Sequence, residues 1–238
     1  MEKSLLSIDW DYFIKIRPEW CGSYIENERC LVDIWYKRYI EENIRGINLE
    51  KEIYINTNTK RFWNFIKERF NLKKDIEVFI SDSHKFSYKI AKDNKCDNII
   101  LFDAHSDLGY GGLSSLEFEL NCANWLGKLF KDNIINKSTI IYSPYTMEQP
   151  NDFSELNSKY NIEYVMNRWD IEYEQFKNSE ISAIHICRSG AWSPPWLDKK
   201  FYEFIRNSEL KVRKLEDITR DWNPKKLTFS DEINYLIG

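Results

Sequence analysis

The chain lacks any cysteine pair of diagnostic spacing. Its five cysteines, Cys21, Cys30, Cys96, Cys122 and Cys187, are odd in number and scattered, with no Cys-x-x-Cys. That excludes a disulfide framework and a zinc finger and leaves reduced thiols as the expectation. No apolar run approaches the ~18 residues of a membrane span, and Met1–Leu6 is too short an apolar stretch for a signal peptide, so a cytoplasmic protein is expected. Excess basic charge is missing too: the net charge is −4, which gives no footprint for nucleic acid and makes a basic peptide the more natural guest. No internal repeat or low-complexity linker interrupts the sequence, so residues 1–238 are expected to form a single domain, with a homo-oligomer left open.

What is present is a hydrophobic fraction of 42%, enough for a large core. Strand and helix patterns alternate, as a three-layer α/β/α fold with a mainly parallel sheet requires. Strands are predicted at 4–10, 76–81, 98–103, 138–142 and 181–187, with further ones near 52–56 and 162–166. Helices are predicted at 30–45, 59–70, 86–94, 115–131 and 195–206, the last opening on Pro194-Pro195. In such sheets the ligand crevice lies beyond the carboxyl ends of the strands.

Acidic clusters fall at those ends. Ser7-Ile8-Asp9-Trp10-Asp11 closes one predicted strand, and Asp103-Ala104-His105-Ser106-Asp107 follows the apolar run Asn98–Phe102. In extended backbone alternate side chains share a face, so Asp9 can converge with Asp11, and Asp103 with His105 and Asp107. An ionised carboxylate beside a dry core costs several kcal/mol unless it is paired or bound to metal. Ser81-Asp82-Ser83-His84 ends a third strand, and with only three histidines in the chain His84 becomes the sixth candidate ligand. Strand-end capping by the carboxylates and a lone surface position for His84 are the alternatives. Four aspartates and two histidines suit two divalent ions of the manganese type better than a thiolate zinc site. Two dications would balance the four carboxylates and leave one further anion, a hydroxide, to be activated for hydrolysis of an electrophilic carbon.

The Asp-Ala-His-Ser-Asp run at 103–107 and the Ser-x-Asp-x-Asp run at 7–11 resemble the two signature motifs of the arginase and agmatinase (ureohydrolase) superfamily. Their order is reversed relative to classical arginases, as though the chain were circularly permuted. With the string Ile8-Asp9-Trp10-Asp11-Tyr12-Phe13, that order resembles a smaller arginase-like family that includes the peptide arginases, which convert arginine side chains of ribosomally made precursor peptides to ornithine. The resemblance implies two Mn²⁺ ions, other divalent ions remaining open. It implies Asp9 and Asp103 as bridging ligands, His84 and Asp107 completing one shell, and His105 and Asp11 completing the other.

Substrate residues are less sharply marked. The glycine-bearing loop Leu108–Ser114 lets backbone pass close to a ligand and leads to Glu117, Glu119 and Asn124. A guanidinium wants a bidentate carboxylate and amide oxygens, which makes these three candidates, although both glutamates equally suit the solvated face of helix 115–131. Asn124-Trp125 also resembles an element of the same family, with Trp125 more simply a core aromatic. After the strand 181–187, Arg188 can hold a peptide carbonyl or carboxylate. His185 can pass a proton to the leaving amine, or can be a satisfied structural group. Asp107 is the other candidate for proton transfer. The expected activity is therefore dimanganese hydrolysis of arginine side chains in a precursor peptide to ornithine and urea. The alternatives are a small-molecule guanidino or amide hydrolase, or a non-catalytic metal-binding relative, on the same scaffold.

Overall fold

The computed structural model describes residues 2–21, 31–55 and 58–237; Cys30, and positions 30 and 56 of two predicted elements, lie outside that range. Among the described residues the strands are β1 (Glu2–Asp9), β2 (Asn71–Leu72), β3 (Glu77–Ser81), β4 (Asn98–Asp103), β5 (Lys137–Tyr142), β6 (Ile162–Val165), β7 (Ser179–Cys187) and β8 (Lys211–Lys214). They form one eight-stranded sheet in the order β6-β5-β4-β1-β7-β3-β8, with β2 also on β7, and every pairing is parallel.

Period-two alternation sorts the side chains of the central strands onto two cores. Leu6 and Ile8 of β1, Ile100 and Phe102 of β4, and Ile184 and Ile186 of β7 face one layer. That layer is built from α1 (Leu31–Ile44), α2 (Leu49–Glu52), α3 (Thr59–Arg69) and α8 (Asp198–Asn207). Leu5, Ile99, Leu101 and Ala183 face the other, under α4 (Phe86–Asp93), α5 (Trp125–Lys131) and α6 (Ser154–Lys159). The result is a three-layer α/β/α fold, each fully buried Leu, Ile or Phe adding about 1.5–3 kcal/mol to it. The short α7 (Tyr173–Phe176) and the terminal α9 (Phe229–Ile237) complete the described helices. No described helix is long and apolar enough to cross a membrane.

Two predicted elements differ. The stretch near 52–56 is not a strand over its described part: Asn48 caps α2 by accepting from the Lys51 amide at 3.1 Å, and Ile53–Ile55 leave it as irregular backbone. The helix expected at 115–131 begins only at Trp125. Gly112–Glu117 is a 3-10 turn, and Asn121 and Asn124 then turn the chain with their own side chains, Asn124 Oδ1 accepting from Asn121 N at 2.9 Å and Asn121 Oδ1 from Ala123 N at 2.9 Å.

The register sets up the site. Ile8 pairs with Phe102, so the next residues, Asp9 and Asp103, end their strands side by side. Asp9 is also level with Cys187, and Cys187 with Ser81, just before the loop that carries His84.

Candidate metal centre

Convergence of the acidic residues depends on turns more than on pleat. β1 stops at Asp9, and Asp11 lies in the 3-10 turn Trp10–Phe13, where the Asp9 Oδ1 accepts from the Asp11 amide at 3.1 Å. Trp10 pins this turn into the core, its ring 5.5 Å from Phe201 and 5.2 Å from Phe204. After β4, the Asp103 carboxylate likewise accepts from the His105 amide at 2.8 Å, and Asp107 adopts a left-handed backbone with φ of 53°. The Asp107 carbonyl then accepts the Leu126 amide at 3.1 Å, which seats the loop on the start of α5. Gly127 permits that approach: a Cβ there would stand 2.2 Å from the Leu108 carbonyl oxygen.

Six candidate ligands meet at the end of β1 and β4. Nδ1 of His84 lies 2.8 Å from an Asp107 oxygen, 3.1 Å from Asp103 Oδ2 and 3.3 Å from Asp9 Oδ2. Nδ1 of His105 lies 3.1 Å from Asp11 Oδ2 and 3.6 Å from Asp103 Oδ1. Asp9, His84 and Asp103 form one set with ligand atoms within 4.8 Å of one another; Asp11, Asp103 and His105 form a second, and Asp103 belongs to both. Asp107 is tied down separately, accepting from Trp125 Nε1 at 2.6 Å, and Ser189 donates to Asp9.

Burial and mutual repulsion both act against ionisation of the clustered carboxyls. Burial, then repulsion from Asp107, Asp11 and Asp9, holds the Asp103 carboxyl well above its usual range. Burial and Asp11 raise Asp9. Burial alone would pull both imidazoles down, yet the carboxylates of Asp103, Asp107 and Asp9 around His84, and of Asp11 and Asp103 around His105, hold them well above their usual value. His84 Nδ1 and Asp103 Oδ2 are nonetheless buried without an aligned hydrogen-bond partner. Nitrogen and oxygen lone pairs aimed at one enclosed volume are what a divalent cation satisfies, so the donor set fits a metal.

Two clefts reach the cluster and meet at His105 and Trp192. One, of about 330 Å³, is lined by Asp9, His84, Asp107, Tyr110 and Ser189 among others. The other, of about 410 Å³, is lined by Asp11, Tyr145, Met147 and Glu148 among others.

The remaining sequence candidates fall outside this arrangement. Glu117 and Glu119 are exposed, Glu117 in an ion pair with Lys131 at 2.7 Å. Asn124 is buried and spends its amide on the Glu119 and Ser115 carbonyls. Arg188 is fully buried in a network with Asp82 and Asp198, donating from Nε to Asp82 Oδ1 at 2.6 Å and from a terminal nitrogen to Asp198 Oδ2 at 3.1 Å. His185 is buried behind His84, its two nitrogens held by Ser81 and Ser87, and burial drives its pKa well below the usual value.

Sequence reasoning missed two contributors. Ser7 lies on the same strand face as Asp9 and meets His84 Nε2 at 2.7 Å; period two in the Ser-x-Asp-x-Asp string carried that signal. Glu148 follows β5, and its oxygens accept from the Ser106 amide at 2.8 Å, Tyr110 at 2.6 Å and Tyr142 at 3.2 Å. Burial raises its carboxyl, and no local pattern marks it. No family model matches the sequence, and no curated protein or solved structure matches the chain.

Proposed function

We propose that the protein is a binuclear metallohydrolase that converts arginine side chains within a peptide to ornithine, releasing urea. The observation that carries this reading is the division of the Asp103 carboxylate, one oxygen towards His84 and the other towards His105, which is how a single side chain serves two ions. Two divalent ions held by Asp9, Asp11, His84, Asp103, His105 and Asp107, Mn²⁺ first among them, would supply Lewis acidity and lower the pKa of a shared water from 15.7 towards ~7.

The chain's own groups account for the rest. Glu148 lines the cleft beside Asp11 and His105, and with three of about four acceptor positions filled it retains capacity for one guanidinium N–H. Water adds to the guanidinium carbon and gives up a proton. The side-chain nitrogen takes that proton and leaves as the neutral amine when its bond to carbon breaks, and the amine then takes the proton shed by the protonated urea to become the ammonium of ornithine. Asp107 lines the first cleft, which supports assigning it the relay of the proton given up by water. Tyr110, Tyr145 and Met147 are exposed at the rims, where they can bear on residues flanking an arginine. The four described cysteines are thiols rather than disulfides, in keeping with a cytosolic setting.

The deciding experiment incubates the manganese-loaded protein with an arginine-bearing peptide and follows peptide mass. Loss of one cyanamide unit per arginine, with urea in equal amount, is the expected result. Equal efficiency on free arginine or agmatine overturns the peptide assignment alone; inactivity on every guanidino compound at full metal content overturns the hydrolase.

A further inference from the structure

A buried file of side chains runs from β3 to the metal cluster without being part of it. The Ser81 hydroxyl donates to the Ser83 carbonyl at 2.8 Å and also meets His185 Nε2 at 2.9 Å. His185 Nδ1 meets Ser87 Oγ at 2.6 Å, Ser87 Oγ meets Ser7 Oγ at 2.9 Å, and Ser7 Oγ meets His84 Nε2 at 2.7 Å. Ser7, Ser81, Ser87, His84 and His185 are all fully or almost fully buried.

Counting protons gives the file a single direction. A carbonyl only accepts, so the one Ser81 proton is committed to Ser83, and Ser81 must accept from His185 Nε2–H. His185 is buried with hydroxyls and no carboxylate at its nitrogens, so it is neutral, and its Nδ1 accepts from Ser87. With that proton spent, Ser87 accepts from Ser7, and Ser7 in turn accepts from His84 Nε2–H. In the neutral ring that a metal ion requires, His84 then carries its lone pair on Nδ1, the atom that faces Asp9, Asp103 and Asp107.

We infer that the Ser81–His185–Ser87–Ser7 file is a tautomer lock, which holds His84 in its Nε2–H form so that Nδ1 is presented as a metal ligand. His185 is thereby a positioning residue: its ring packs on that of His84 at 5.8 Å, and its hydrogen bonds reach His84 through two serines. The inference rests on the metal-holding part of the proposed function and not on its substrate. In a bare site the aligned lone pair faces three carboxylates, a repulsive arrangement that only a bound cation or a proton relieves. Second-sphere partners of a ligating histidine are worth ~10–100-fold in metal affinity, and the same is expected here.

The test uses ¹⁵N-histidine NMR of the intact protein loaded with Zn²⁺ as a diamagnetic probe. Only three histidines need assignment. The expected pattern is a protonated Nε2 and a metal-bound Nδ1 for His84, with His185 neutral and also protonated at Nε2. In Ser87→Ala the Ser7 proton is released to His84 Nε2, so Zn²⁺ affinity is expected to fall ~10–100-fold, and Ser87→Thr, which restores the hydroxyl, is expected to recover it. A wild-type His84 protonated at Nδ1, or a cationic His185, overturns the lock. So does a folded Ser87→Ala that binds Zn²⁺ as tightly as wild type. Failure to hydrolyse arginine would leave all these readouts in place.

Discussion

The indole Nε1 of Trp125 donates to the Asp107 carboxylate at 2.6 Å, so the first residue of α5 fixes the last residue of the Asp103–Asp107 run. The same oxygen of Asp107 stands 2.8 Å from His84 Nδ1, and the Trp125 and His84 rings are 4.9 Å apart. Trp125→Phe removes the donor and puts a smaller ring in a fully buried site, adding a cavity cost to the lost hydrogen bond. It is expected to destabilise the protein by at least about 1.5–3 kcal/mol, the worth of a hydrogen bond to a charged group, and to weaken metal binding by ~10-fold. Chemical denaturation and metal titration check the two effects separately. An unchanged metal affinity would mean that Asp107 needs no anchoring.

Asp103→Asn is expected to act with opposite signs on metal and fold. Losing the carboxylate shared by both ligand sets should lower affinity for each ion by more than ~100-fold and abolish activity. Removing a charge from a crowded, buried cluster should meanwhile raise the melting temperature of the chelated protein. Elemental analysis beside a thermal melt in chelator reads both; full metal content in the variant would place the ions elsewhere.

Stability of the metal-free protein is expected to fall as pH rises. For Asp9 and Asp103 the folded value lies above the ordinary 3.8, so the fold prefers the neutral acid, and that contribution is lost as pH climbs through the raised values. For His84 and His105 the folded value lies well above the ordinary 6.5; the preference for the cation is complete below 6.5 and is likewise lost on the way up. All four slopes agree; His185, which burial holds well below 6.5, opposes them only below that value, where its unfolded form is protonated. Melts in chelator should therefore decline from neutral to alkaline buffer, while the increment conferred by Mn²⁺ grows across the same interval. A chelated protein that gains stability with pH would contradict this.

Much of the fold was legible because its signals are local. The apolar runs that became β1, β3, β4, β5 and β7 each end in polar residues or turn formers. β8 was not legible: Lys-Val-Arg-Lys is exposed throughout and reads as a loop, yet it covers the edge of β3, where charged residues also discourage further pairing. The six candidate ligands could be picked out from strand-end chemistry, whereas the environment of Arg188 could not. Asp82 and Asp198, its partners, lie 106 and 10 residues away, and only the folded chain brings them together.

Glu148→Gln keeps the shape of the side chain and an acceptor for the Ser106 amide while removing the charge offered to a guanidinium. Catalytic efficiency on the arginine peptide is expected to fall by ~30- to 150-fold, corresponding to about 2–3 kcal/mol, with metal content unchanged. Steady-state kinetics with parallel metal analysis check this. Loss of metal in step with activity would assign Glu148 to holding the His105 loop instead.

Arg188→Ala is expected to cost about 3 kcal/mol in stability, because it leaves the Asp82 and Asp198 carboxylates short of a buried countercharge. Urea denaturation reads the loss. A variant of normal stability with a raised KM for peptide would return Arg188 to the substrate.

Placing β1 at the middle of an all-parallel sheet also governs when the cluster can assemble. Its two neighbours are far along the chain: Ser4 meets Asn98 across 94 residues and Ser179 across 175. Two of the acidic side chains therefore belong to a segment that stays unpaired on one edge until β7 has been synthesised, and parallel pairings of such span are slow to form. The maturing polypeptide passes through an interval with its central strand covered on at most one edge, during which aggregation competes with closure of the sheet.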